Sequence, residues 1–290
     1  MLRNFLLVAL LSLALSVSAH AKAGFGEPLP NATIGVPHSF DFGAALQMQA
    51  NTSVPIIGAG GVVSAASIAG QQPLAPGAFI SVYAQNLTQA HGMESSATLP
   101  FGNKLAGAQV ILGGKTLPLQ FASTGQINAI VRFDLQQNTT QQLIVQQGST
   151  VSVPEPVTIA TAQPAVFTLD LSGKGPGIID VYKPDGTHLG LNQPASAGSV
   201  IVIYCAGLGI VNPGVDAGMG PPAPSKTVND VIVTTGSVQA RVDFAGVVAG
   251  SPGEYQVNAV VPNGVTPGEN VPVVVTAAGQ QSTPVSIKIQ

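Results

Sequence analysis

Gly253-Glu254-Tyr255-Gln256-Val257-Asn258-Ala259-Val260-Val261-Pro262 is the stretch that decides the fold, because its centre has already occurred once as Gln126-Ile127-Asn128-Ala129-Ile130-Val131. Both copies alternate polar with apolar residues, the period-two pattern of a strand with unlike faces. The 35 residues from Gln126 to Ala160 lie over those from Gln256 to Gln290 without a gap, setting Val145 on Val275, Pro154 on Pro284 and Ile159 on Ile289. Such an offset marks a duplicated structural unit.

Moving outward, the doubling continues. Ala78-Phe79-Ile80-Ser81-Val82-Tyr83 is a run of β-formers closed by Gln85-Asn86, and Ser199-Val200-Ile201-Val202-Ile203-Tyr204 is its later copy, with Tyr204 standing where Tyr83 stood and Leu208 where Leu87 stood. Gly107 to Leu112, Gly113-Gly114 and Lys115 to Phe121 read as a hairpin, since Gly-Gly supplies the positive φ values of a two-residue turn. Val231 to Val242 is its later copy. Each unit then ends in two more strands.

About seven short strands per unit, with turns at regular intervals and no helical period, are the sequence form of an immunoglobulin-like sandwich. The expected fold class is all-β: two tandem immunoglobulin-like β-sandwich domains from an internal duplication. The first repeat is expected over 55–162 and the second over 163–290, the latter carrying an inserted hairpin between Gln163 and Pro194. Assignment of that insertion to the second repeat is preferred to a bridge between the two. Residues 22–54 are weakly patterned, with Pro28, Pro30 and Pro37 interrupting any run and one strand-like alternation from Val36 to Phe42.

Residues 1–21 read as a signal peptide: Arg3 gives the positive start, Phe5 to Val17 the apolar stretch and Ala19-His20-Ala21 a small-x-small cleavage site. That stretch is shorter than the about 20 residues a membrane helix needs, so no membrane span is expected in the mature chain. The expected location is secreted or cell surface. Of 290 residues only 8% are charged and 45% are apolar, which excludes disorder, and a net charge of −3 with scattered Lys and Arg excludes nucleic acid as a partner. The single cysteine, Cys205, cannot close an internal disulfide.

The inventory of chemistry is short. Asn128 and Asn258 are the sharpest candidates, because Asn is a poor strand residue and yet sits mid-strand twice; the expected role is a buried amide satisfying loop backbone groups. Together with Gln126, Gln256, Tyr83 and Tyr204 they form a structural repeat signature. Cys205, in an apolar strand, is expected to be a small core residue. Asp170-Leu171-Ser172-Gly173-Lys174-Gly175 lacks the third acidic position and the distal Glu of a calcium loop and reads as a glycine-rich turn. Asp180 and Asp185 are expected to be solvated beside a turn. Gly-x-Ser-x-Gly does not occur, and a hydrolase would need acidic and His residues converging from distant loops. No catalytic residue, cofactor or metal ligand is therefore assigned, and the chain is expected not to be an enzyme.

Gly77-x-x-x-Ser81-Val82-Tyr83, Leu105-Ala106-Gly107-Ala108-Gln109-Val110, Gln126-Ile127-Asn128-Ala129, Tyr204-Cys205-Ala206-Gly207-Leu208-Gly209 and Tyr255-Gln256-Val257-Asn258 resemble the Solibacter-type uncharacterised C-terminal domain, found at the ends of exported proteins of soil bacteria. The strand-Gly-Leu-Gly pattern is also similar to the opening of IPT/TIG immunoglobulin-like domains. The resemblance implies architecture and location. The resulting expectation is a non-enzymatic exported structural, adhesion or anchoring module of the bacterial cell exterior, with a cell-surface protein or polysaccharide as partner. The alternative is a carbohydrate-binding module, which Tyr182 and Tyr255 exposed together on one face would favour.

Overall fold

The computed structural model describes residues 54–67, 72–88 and 93–290; the signal-peptide reading, the segment 22–54 up to Ser53 and the strand-like run Val36 to Phe42 lie outside them. The described residues form strands and turns without a helix, and none of their elements is a helix long and apolar enough to cross a membrane.

The first ten strands are β1 Ile56–Ser64, β2 Phe79–Gln85, β3 Glu94–Ser95, β4 Ala108–Leu112, β5 Lys115–Thr116, β6 Leu119–Ala122, β7 Gln126–Ile130, β8 Thr139–Gln147, β9 Thr150–Val151 and β10 Glu155–Ile159. They make two sheets, β1-β2-β7-β6-β3 and β10-β8-β4-β5, with β9 paired to β8. Ile80, Val82, Ile127 and Ala129 from one sheet meet Val110, Leu112, Leu143, Val145 and Ile159 from the other in a single buried core. Alternation does this: β4 and the second half of β8 bury every other residue.

The later strands are β11 Ala165–Val166, β12 Gly175–Pro176, β13 Ile179–Tyr182, β14 His188–Leu191, β15 Val200–Ala206, β16 Val211–Asn212, β17 Ser225–Thr227, β18 Val231–Thr235, β19 Val238–Val247, β20 Tyr255–Val260, β21 Gly268–Ala277, β22 Gln280–Gln281 and β23 Val285–Ile289. Their ladders retrace the first set. Tyr83 lies opposite Gln126 and Tyr204 opposite Gln256. The Gly77 and Gly198 amides donate to Val131 and Val261 carbonyls. The buried Ser152 and Ser282 hydroxyls each accept from a core-strand amide, Val145 and Val275, at 3.0 Å.

The two sandwiches differ at one corner. In the second, β19 runs unbroken from its pairing with β18 to its pairing with β20, so both layers belong to one sheet of thirteen strands. In the first, Pro118 separates β5 from β6 where Arg241 stands later, and a proline has no N–H to continue a ladder.

The region from Gln163 to Pro194 is more than an added hairpin. β13 pairs with β15 as β1 pairs with β2, Asp180 facing Val202 where Val63 faces Ser81. Only β11, β12 and β14 are additional, and they pair with β15, β23 and β13, all strands of the second set.

The sandwiches meet at a junction in which Tyr255 is the largest fully buried side chain among the described residues. Its hydroxyl lies between the carbonyl oxygens of Gly209 and of Pro76, the latter 3.1 Å away and in the first sandwich. Gly253 and Gly218, both at positive φ, come so close that a Cβ at either would meet Ile130 or Pro118 within 3.0 Å, and the Phe101 amide donates to the Gly218 carbonyl at 2.9 Å. Ser53–Gln290 accordingly form one compact unit.

Candidate functional site

Residues two apart on a strand share a face, so Gln126 and Asn128 project together from β7, and Gln256 and Asn258 from β20. Ile127 and Ala129, like Val257 and Ala259, point into the cores. In both copies the Gln side chain donates to the Asn carbonyl oxygen at 2.7 Å. Each Asn stands beside a β-bulge, opposite Phe121 and Phe244 respectively.

Around Asn128 this face is closed. The Ser81 hydroxyl donates to Asn128 Oδ1 at 3.0 Å, and Asn128 Nδ2 donates to Gln120 Oε1 at 3.3 Å. Asn128 is fully buried, and Ser81, Gln120 and Gln126 are also buried. The partners are side chains, not the loop backbone groups expected from the sequence. Burial there raises the Tyr83 pKa, partly offset by the Ser81 hydroxyl. One row along the ladder, Phe79 and Ile130 are roofed by Gly253 of the second sandwich.

Around Asn258 the same ladder is more open, although Val202 and Asp180 in its row remain buried. Val202 stands in the place of Ser81, and Asp243 in the place of Gln120, where it is held by Arg241 at 2.8 Å. Gln256, Asn258, Tyr204, Phe244 and the row Val200–Val260 are half-buried. Tyr83 and Tyr204, in equivalent places of the two copies, both face away from the cores.

β13 and β14 then bring a second polar group to this open face. Asp180, only 3% exposed, accepts from Tyr204 Oη at 3.3 Å and lies 2.9 Å from His188 Nε2; the Tyr182 ring sits 4.6 Å from the His188 ring. The expectation of a solvated Asp180 is thus corrected: it is buried on β13, flanked by β15 on one side and β14 on the other. Sequence carried the signal, since the alternation Ile179-Asp180-Val181-Tyr182 puts Asp180 and Tyr182 on one face and the turn Lys183 to Thr187 returns His188 opposite Tyr182. A His–carboxylate pair is the orienting half of a nucleophilic triad. Here the Tyr204 hydroxyl donates to the same carboxylate that holds the imidazole, an arrangement that fixes both rings on this face.

Tyr255 shares no face with Tyr182. It is buried at the junction, and burial raises its pKa far above the ordinary value. Cys205 is buried opposite it, with its thiol pKa raised by burial and then by Glu254. Glu254, 8% exposed, has its carboxyl pushed up to about 7 by burial. Asp170 folds back to accept from the Ser172 amide and hydroxyl at 3.1 and 2.8 Å, which lowers its pKa and makes the segment an Asp-capped turn. Among the described residues no group of three His, Cys, Asp or Glu side chains comes together. Surface cavities of about 390 Å³ at Pro213 to Ser225 and about 260 Å³ beside Gly60 and Glu155 are lined without His, Cys or aromatic residues.

No family model and no curated protein matches the chain. Among solved structures it is similar to a surface glycan-binding protein of Prevotella bryantii (9% identity, 81% of this chain and 42% of that chain, TM-score 0.27). It is also similar to domains 5–6 of the S-layer protein SbsC (14%, 81% and 98%, 0.26) and to an I9–I11 tandem of titin (6%, 82% and 66%, 0.21). The chain spans less than half of the glycan-binding protein, and at such scores the likenesses carry no argument about ligand or activity.

Proposed function

We propose that this chain is a non-enzymatic exported structural, adhesion or anchoring module of the bacterial cell exterior. The observation that carries this reading is the junction. A load-bearing or display module needs its units held as one body, and Tyr255, Gly253 and Gly218 tie the second sandwich to Pro76, Ile130 and Pro118 of the first. The N-terminal signal-like sequence and the resemblance to Solibacter-type domains support an exported location.

The test is fractionation of a bacterial host making the full chain, with protease treatment of intact cells and mass spectrometry of the product. A cleaved chain beginning near Lys22, outside the cytoplasm, is expected; an intact Met1 chain confined to the cytoplasm overturns the proposal. Carbohydrate binding is a second reading, favoured by the two half-buried tyrosines, Tyr182 and Tyr204, that share the open face with Gln256 and Asn258.

A further inference from the structure

We infer that the open face of β14-β13-β15-β20-β19 is a binding site for a neutral polysaccharide chain, with Tyr182 and His188 as its apolar ledge and Gln256 and Asn258 as its hydrogen-bonding side. This inference rests on, and deepens, the reading of the chain as an exported binding or anchoring module.

Register places these groups on one surface. Asp180, Val202, Asn258 and Phe244 form a row straight across four strands. Tyr204 and Gln256 lie in the row to one side, and His188, Tyr182, Val200 and Val260 in the row to the other. Adjacent strands are about 4.8 Å apart, so Asp180 and Asn258 stand on the order of 10 Å from each other, with the low Val202 between them. The result is a shallow trough with aromatic rings on one bank and carboxamides on the other.

The chemistry selects the ligand. Sugar rings present C–H faces that lie on aromatic rings and hydroxyls that both donate and accept. A carboxamide offers two donors and an acceptor, and of the three bonds made at Asn128 only the one from Gln is retained at Asn258. Asp180 meanwhile holds His188 and Tyr204 in position. Of the cations on this face, Arg241, opposite Val260, is tied through two nitrogens to Asp243 at 2.8 and 3.1 Å, and Lys226 stands at the far edge opposite Gly246, two strands from Gln256, so the centre of the trough between Asp180 and Asn258 presents no cation to an anionic glycan.

Nor is the occupant a second copy stacked as the two sandwiches stack on each other. That junction is anchored by Tyr255 and Gly253, and the first sandwich carries Gly125 and Ser123 at the corresponding places.

The test is electrophoresis of the mature chain through gels cast with soluble neutral polysaccharides (glucan, mannan, xylan, arabinogalactan) and, separately, alginate. At least one neutral polymer is expected to retard the protein, with Tyr182→Ala and Asn258→Ala each weakening binding about tenfold and Val153→Ser, on the exposed surface of the first sandwich, leaving it unchanged. Near-UV circular dichroism establishes that each variant is folded; if one is not, Gln256→Ala decides the matter in the same way. Retardation by no neutral polymer, by alginate alone, or equally for wild type and folded variants overturns the site. An exported chain that binds no glycan defeats this inference and leaves the module reading standing, whereas cytoplasmic retention defeats that reading.

Discussion

The strand that holds Asn128 and the strand that holds Asn258 have the same register, the same bulge beside them and the same Gln-to-Asn hydrogen bond, yet one is sealed and the other open. The difference lies in what comes from elsewhere. Ser81 and Gln120 add two bonds to the first amide beyond that from Gln126, and the second sandwich roofs the neighbouring row. At the second amide, Val202 and Asp243 take those places. Duplication thus preserved a backbone arrangement while releasing one copy of its side chains from structural work.

The contrast is sharpest one step before each Gln, where Gly125 in the first copy answers to Tyr255 in the second. Truncating Tyr255 to Ala removes a buried aromatic and leaves the Pro76 and Gly209 carbonyls without their donor. A loss of about 3–5 kcal/mol is expected in chemical denaturation. A loss under about 1 kcal/mol would mean that the two sandwiches are not coupled there.

Next in size is Glu254, whose counterpart Thr124 is exposed. Its folded-state pKa of about 7 lies above the ordinary 4.5, so the folded state binds the proton more tightly than the unfolded chain. The stability it contributes is therefore complete below about 4.5, declines as pH rises and is gone above about 7. The span is on the order of 3 kcal/mol. Denaturation midpoints measured from pH 4 to 8 should fall over that window in the wild type, and Glu254→Gln should abolish the Glu254 part of the fall; an unchanged slope would place the carboxyl in water.

The smallest effects compare the amides directly. Asn128→Ala strands Gln120 and Gln126 in the interior and should cost about 1–3 kcal/mol, whereas Asn258→Ala, on the open face, should cost about 0.5 kcal/mol or less. Equal costs would erase the distinction drawn between the two copies.

Much of this was legible beforehand. The Gly113-Gly114 turn, with φ of 58° and 77°, follows from residue type alone, and its later copy keeps the shape with Gly236-Ser237 at 57° and 69°. Gln126 and Asn128 share a face because strands have a period of two. Illegible were the partners of Asn128, since Ser81 lies 47 residues away and becomes a neighbour only when β2 pairs with β7. Asp180 was misread for a related reason: a carboxylate next to a turn looks solvated until the strands on either side of it are known.

The amino-acid sequence alone determined that a pleated unit occurs twice and which residues point inward, because alternation and turn chemistry are local properties of the chain. Only the tertiary structure decided which outer face is covered, that Tyr255 and Glu254 lie at a buried junction, and that Asp180, His188 and Tyr204 join Asn258 on one surface. Burial of an outward-pointing side chain depends on what packs over it, and that is supplied by segments far away in sequence.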